Sequence, residues 1–219
     1  SAEQEKAYWA VRQGFADRFG NPDFPDRFDH RQVHFLGVWD TVKTIGWLNW
    51  RAQLEQARWP FTRKAPNVWR VRHAIALDER RRPYPEYRFA GGPDPERLRE
   101  MWFAGVHSDV GGRYPDDHRL SDIALAWMVD EAVAEGLRVD PKAYLRLLGA
   151  EIGAELPADP VAATVHANGR AWALLGGWHR RVVGPGDEIH PSVLRRVAAT
   201  AGGRAAYRPE LAARTWAPT

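Results

Sequence analysis

The chain has no cysteine, which excludes a disulfide framework, a thiol nucleophile and a cysteine-ligated zinc site. No apolar stretch is long enough to cross a bilayer or to read as a secretory signal. Internal repeats and low-complexity blocks are also missing. Serine is scarce: Ser1, Ser108, Ser121 and Ser192 are the four in 219 residues, and none sits in a G-x-S-x-G context. Charge of one sign does not dominate either. Thirty-one Lys and Arg stand against 28 Asp and Glu, for a net charge of +3. The sequence pI of about 9.4 therefore reflects many arginines rather than a one-sided surface, and nucleic acid is not implied as a partner. Chemistry is left to His, Asp, Glu and the few serines.

What is present describes a folded chain. A hydrophobic fraction of 44% and 11 Trp are enough for one sizeable core. Tyr8, Val11, Phe15 and Phe19 recur at helical spacing within residues 2–19, and Gly20 stands where a helix would stop, predicting an opening amphipathic helix. After the loop "NPDFPDRFDHRQ" comes "VHFLGVWDTV", an apolar run rich in β-formers that stops at Asp40. It reads as a strand buried on both faces. The pattern recurs in "VRHAIALDE", which ends on a carboxylate, Asp78, and in "EMWFAGVHSD", which runs to His107. "LNWRAQLEQARW" between the first two runs reads as helical. Further helices are expected over roughly 121–135, from the N-cap Asp140 and Pro141, and over 190–198.

Near-continuous apolar strands separated by crossover-length segments require a mostly parallel sheet covered by helices. Ligands of such sheets sit at the carboxyl ends of the strands, where Asp40, Asp78 and His107 would all lie. A histidine and a carboxylate at that edge are the base and the orienting acid of a Ser-His-Asp hydrolase, and Asp40 before His107 is the order of the two later members in α/β-hydrolases. Gly111 and Gly112 would shape the turn that presents the imidazole, and Asp109 would steady it. Ser108 adjoins His107, so the two side chains diverge.

Other readings of the same residues stay open. His107 could be a turn histidine bonded only to backbone. Asp40 could be a helix cap or an Asx-turn residue. Asp78 is the rival acid, or a partner of the arginines at 80–82. His107, Asp109, Asp116, Asp117 and His118 could together hold a metal but match no strong ligand spacing. His190, before a proline-started helix, reads as a cap. His34, His73, His166 and His179 have no partner that sequence can name. The basic stretches "RKAPNVWRVRH" and "ERRRPYPEYR" read as solvated faces or as grips for an anionic lipid headgroup.

The segments "HFLGVWDTV", "RHAIALDERR", "MWFAGVHSDVGGRY" and "IHPSVLRR" resemble successive blocks of the α/β-hydrolase catalytic domain of type VI secretion phospholipase effectors. The resemblance spans roughly residues 1–210, leaving 211–219 as a tail. It implies hydrolysis of acyl esters of membrane phospholipids without cofactor or metal, with His107 as the base and Asp40 as the acid. It also implies secretion-apparatus and immunity-protein partners, and delivery from the cytoplasm of the producing cell. In that family a G-F-S-R-G elbow precedes these blocks. The expectation is therefore the later part of an α/β-hydrolase fold, a mostly parallel sheet with helices on both faces. The N-terminal strands and the nucleophile elbow would be missing, and the isolated chain would be inactive. The alternative is a non-catalytic remnant or binding module that keeps the hydrolase fold.

Overall fold

In a computed structural model, the described residues are 2–19, 33–42, 65, 67–89, 94, 96–112, 114–154, 156, 162–169, 172, 177–203 and 206–209. The expected helix in "LNWRAQLEQARW", the loop 21–32 and the tail 211–219 lie outside them. Among the described residues four strands, β1 (Val33–Trp39), β2 (Val68–Ala76), β3 (Leu98–Phe103) and β4 (Glu188–Ile189), numbered in sequence order, form one sheet in the order β1-β2-β3-β4, with every pair of neighbours among these residues parallel. Among the described residues five helices accompany them: α1 (Ala2–Phe19), α2 (His107–Gly111), α3 (Arg119–Ala134), α4 (Pro141–Leu148) and α5 (Pro191–Thr200). This is an α/β fold.

The apolar runs behave differently according to their place in the sheet. Residues 71–77 of β2 and its exit are all buried, as are 101–104 of β3, because each of these strands has a neighbour on both sides. Ile75, Trp102 and Phe103 pack with Ile123, Ala124, Trp127 and Met128 of α3 in one core. Burying each large side chain contributes about 1.5–3 kcal/mol. The first strand corrects the expectation of burial on both faces. β1 is only half-buried along most of its length, since among the described residues it pairs with β2 alone.

Polar residues set how α3 lies on the sheet. Arg70 and Arg72, two apart and so on one face of β2, reach Glu135, which caps the end of α3, and Glu131 within α3, the first at 2.8 Å. Arg99 of β3 joins Glu131 at 2.6 Å. α4 starts as its sequence requires, with Asp140 accepting from the Lys142 N–H at 2.9 Å and Pro141 in the first turn. α1 is helical as its spacing demands, yet Val11 and Phe15 on its stripe are exposed.

Candidate active site

Asp40 is the first residue beyond β1 and takes φ 42°, a left-handed conformation that an Asp tolerates better than most side chains. Its N–H still reaches the Ala74 carbonyl at 2.6 Å, so the chain turns while the ladder continues. The carboxylate is thereby swung back over the sheet, where Oδ1 accepts from the Ala76 N–H at 2.8 Å. Thr41, the next residue, donates its N–H to His73 Nε2 at 3.0 Å, and His73 Nδ1 lies 3.0 Å from Glu100. His73 is fully buried and serves as a strut behind Asp40.

His107 Nδ1 meets Asp40 Oδ2 at 2.7 Å. The histidine opens α2 at the carboxyl end of the sheet, and its backbone N–H donates to Glu79 Oε2 at 3.2 Å. Glu79 is itself fixed by the Arg81 guanidinium at 2.8 and 2.9 Å. Tyr84 stands edge-on to the imidazole with ring centroids 5.4 Å apart, and Arg81 lies over the Tyr84 ring. Glu79, Arg81 and Tyr84 of the basic run "ERRRPYPEYR" thus form a wall of this site, while Arg80 and Arg82 are exposed. The imidazole side chain remains 30% exposed, which leaves it reachable from outside.

The third member of the cluster came with no sequence signal. Arg181, fully buried, places Nη1 on Asp40 Oδ1 and Nη2 on Oδ2 at 3.1 Å. The same fork donates to the carbonyls of Ala76 at 2.7 Å and Tyr84 at 2.8 Å. Burial pushes the Asp40 carboxyl up, but the hydrogen bond from His107 and the charge and hydrogen bonds of Arg181 outweigh it and hold the group below its ordinary value. The carboxylate is charged, oriented and shared between the Arg181 guanidinium and the His107 imidazole.

The "GVHSDVGG" stretch is a short helix, which corrects the reading of a turn made by both glycines. Gly111 is the last residue of α2, and only Gly112 takes a left-handed φ, 80°, as its C-cap. The other positive φ lies upstream, at Gly105 with 114°. A Cβ there would sit 2.4 Å from Asp109 Cβ, so the strand exit and α2 approach as closely as they do only with glycine. Asp109 is buried and accepts from the Val106 N–H at 2.9 Å. It also takes His166 Nδ1 at 2.5 Å, while His166 Nε2 reaches Asp116 at 3.1 Å.

Asp78 does not meet His107, and of the arginines at 80–82 it is Arg80 that acts on it, through its charge. Its Oδ2 accepts from the Gly105 N–H and the Tyr207 hydroxyl, each at 2.7 Å, and Arg81 turns to Glu79 instead. Burial raises the Asp78 carboxyl above its ordinary value despite these donors. The five residues of the metal reading are dispersed: His107 to Asp40, Asp109 and Asp116 to His166, Asp117 to Arg119 and His118 to Asp122. Among the described residues no group of three or more acidic, histidine or cysteine side chains converges for a metal. His190 caps α5, accepting from the Ser192 N–H, and burial against the positive Arg195 and Arg99 lowers it to about 4.

The fold and this cluster define an α/β domain with a histidine–carboxylate pair at the carboxyl edge of a parallel sheet. Compared with protein-family models, residues 6–131 match the type VI secretion phospholipase effector Tle1-like catalytic domain. The match spans more than half of the chain, and the chain belongs to that family. Comparison with curated proteins and with solved structures gives no significant match.

Proposed function

We propose that His107 and Asp40 are the base and the acid of a serine hydrolase that cleaves acyl esters of phospholipids. The nucleophilic serine would come from a G-x-S-x-G segment that these 219 residues do not contain. The observation that carries this reading is the 2.7 Å contact between His107 Nδ1 and Asp40 Oδ2, in a chain of a phospholipase effector family. A charged Asp40 accepting from Nδ1–H leaves the Nε2 lone pair to act as base.

Nε2 takes the serine proton as the hydroxyl oxygen attacks the ester carbonyl. The tetrahedral adduct then collapses, the lipid alcohol leaves with the proton from Nε2, and an acyl-serine remains. Water, losing a proton to Nε2, attacks the acyl group, and the fatty acid departs as the proton returns to serine. Arg181 is a positioning residue in this scheme, since it touches Asp40 rather than the reacting atoms. Delivery by a type VI apparatus and neutralisation by an immunity protein belong to the same reading.

The test compares ester hydrolysis by this chain, by the chain joined to a preceding G-x-S-x-G segment in frame, and by the joined protein carrying His107→Ala. Turnover is expected only in the second, with a loss on the order of 10⁴-fold or more in the third. Equal activity of the second and third would remove His107 from the mechanism. No turnover in any of the three would favour a non-catalytic module that keeps the fold.

A further inference from the structure

His166 has no partner that sequence can name, and the fold sets it between two carboxylates. Its Nδ1 lies 2.5 Å from Asp109 Oδ1 and its Nε2 3.1 Å from Asp116 Oδ2. Carboxylate oxygens accept, so both ring nitrogens must donate, and only the imidazolium carries a proton on each. Tyr114 stacks on the ring, with centroids 3.7 Å apart and planes at 14°, and its electron-rich face favours the same cation. Burial opposes the charge, but the hydrogen bonds and charges of Asp109 and Asp116 outweigh it and raise His166 above its ordinary value. Asp78, Arg80, Arg180, Arg196, Tyr207 and Arg208 line an open cleft that His166 also borders. On the segment that bears His166, Asp117 pairs with Arg119 at 2.7 Å and accepts from the Thr164 N–H, while Arg119 donates to the Ala162 carbonyl. Asp109 and Asp116 touch the ring itself, and the nearest charges weigh most.

Asp109 ties this imidazolium to the catalytic edge of the sheet. It lies two residues after His107 in α2 and is buried. Its Oδ2 accepts both from the Val106 N–H at 2.9 Å and from the His166 N–H at 3.1 Å. Val106 is the residue before His107, so this carboxylate fixes where α2 begins. A buried carboxylate that loses its counter-charge is strongly disfavoured, which makes that bond depend on His166.

We propose that His166 is a positioning residue for His107: its imidazolium, clasped by Asp109 and Asp116, locks the start of α2 and so keeps the His107 ring on Asp40. The consequence for turnover rests on the hydrolase reading, and the lock itself does not. Proton loss from His166 as pH rises leaves one bare nitrogen facing a carboxylate, and the lock slackens.

The first test uses the 219-residue chain, with imidazole resonances and amide exchange read by NMR. At about pH 6 both His166 nitrogens should carry protons. As pH rises through the His166 titration, the His107 Nδ1–H signal should broaden and the Val106 amide should exchange about tenfold faster or more. Asp116→Asn, at an exposed carboxylate, removes one of the two charges that favour the cation. The His166 titration and the response at His107 should then both move to lower pH. His166→Ala should show the loosened state at every pH. His166→Gln, which keeps a neutral donor, should restore most of the Val106 protection without its pH dependence.

The second test uses the protein joined to its nucleophile segment. His166→Ala should lower kcat about 10–100-fold, with KM changed less than about twofold, and Asp116→Asn should move the alkaline limb of kcat to lower pH. A thermal melt identifies a variant that does not fold, and Asp116→Asn then carries both comparisons. A His166 ring with one proton at about pH 6, or a His166 titration without response at His107 and Val106, would overturn the proposal. So would an unmoved midpoint in Asp116→Asn, or full turnover in His166→Ala. If the joined protein never hydrolyses ester, the hydrolase reading fails, and the resonances of the chain alone still decide whether His166 holds His107.

Discussion

Asp40 and Asp78 occupy equivalent places in two neighbouring strands and have opposite fates. Each follows a parallel strand, and each carboxylate reaches across to the exit of the next one. Asp40 accepts from the Ala76 N–H beyond β1, and Asp78 from the Gly105 N–H beyond β2. Both accept a backbone N–H from the neighbouring strand or its exit, although of the two Asp40 alone takes a left-handed backbone. What differs is the second partner: Asp40 meets Arg181 and His107, whereas Asp78 meets only the Tyr207 hydroxyl and the field of more distant arginines. Burial pushes both up, yet one ends below and the other above its ordinary value. A strand-end position supplies a carboxylate, and long-range partners decide whether it is held charged beside a histidine or disfavoured as an ion.

The sharpest way to break this comparison is substitution by the neutral amide at each site. In the protein joined to its nucleophile segment, Asp40→Asn is expected to lower kcat on the order of 10⁴-fold, through loss of the oriented tautomer. Asp78→Asn should change kcat by less than about tenfold. A comparable loss at both positions would mean that the two carboxylates are functionally alike.

Next in size is the effect of removing the cation. Arg181→Met leaves Asp40 buried with its counter-charge gone, at a cost of about 3–5 kcal/mol, read as a lower urea midpoint. The double variant Asp40→Asn/Arg181→Met should recover part of that loss, and strict additivity would show that the two side chains do not interact.

The pH dependence of stability separates the pair by sign. Asp40 is lowered in the fold, so its contribution is present above the unfolded carboxylate value and is lost as pH falls through the folded one. Asp40→Asn should therefore flatten the acid limb of a stability–pH curve. His190, lowered to about 4 from 6.5, adds a separate loss as pH falls through that interval, because the unfolded imidazole takes a proton that the folded one refuses. His190→Gln should remove that step and leave the Asp40 difference in place. Asp78, raised in the fold, imposes its penalty as pH rises through the carboxylate range. Asp78→Asn should accordingly be neutral or stabilising near pH 7 by less than about 1 kcal/mol, the smallest of these effects. Destabilisation that grows with pH would contradict the assignment.

Much of this architecture is legible in the chain. The three apolar runs stopping at polar residues correspond to β1, β2 and β3, and the capping residues Asp140 and His190 mark the starts of α4 and α5. The two residues of β4 carry too little pattern to be seen. The helix α2 was hidden because "HSDVG" is a short polar stretch whose conformation depends on Gly105 and on Asp109 packing beneath it. Glu79 and Tyr84 could have been suspected from a basic, proline-flanked run directly after a strand. Arg181 could not, since it lies 141 residues from Asp40, within a segment with no periodicity around it.

The sequence by itself determined the parallel strands, through apolar runs that only a covered sheet can bury, and it placed a histidine and two carboxylates at one sheet edge. It also determined the family, through ordered blocks around those residues. Only the tertiary structure decided which carboxylate faces His107. Register brings Asp40, turned back by its left-handed backbone, to 2.7 Å from the imidazole. The arrival of Arg181 from far along the chain then keeps that carboxylate charged in a buried place. Local pattern cannot carry such a choice, because the free energy of a buried ion is set by whatever charges the fold brings within a few ångströms of it.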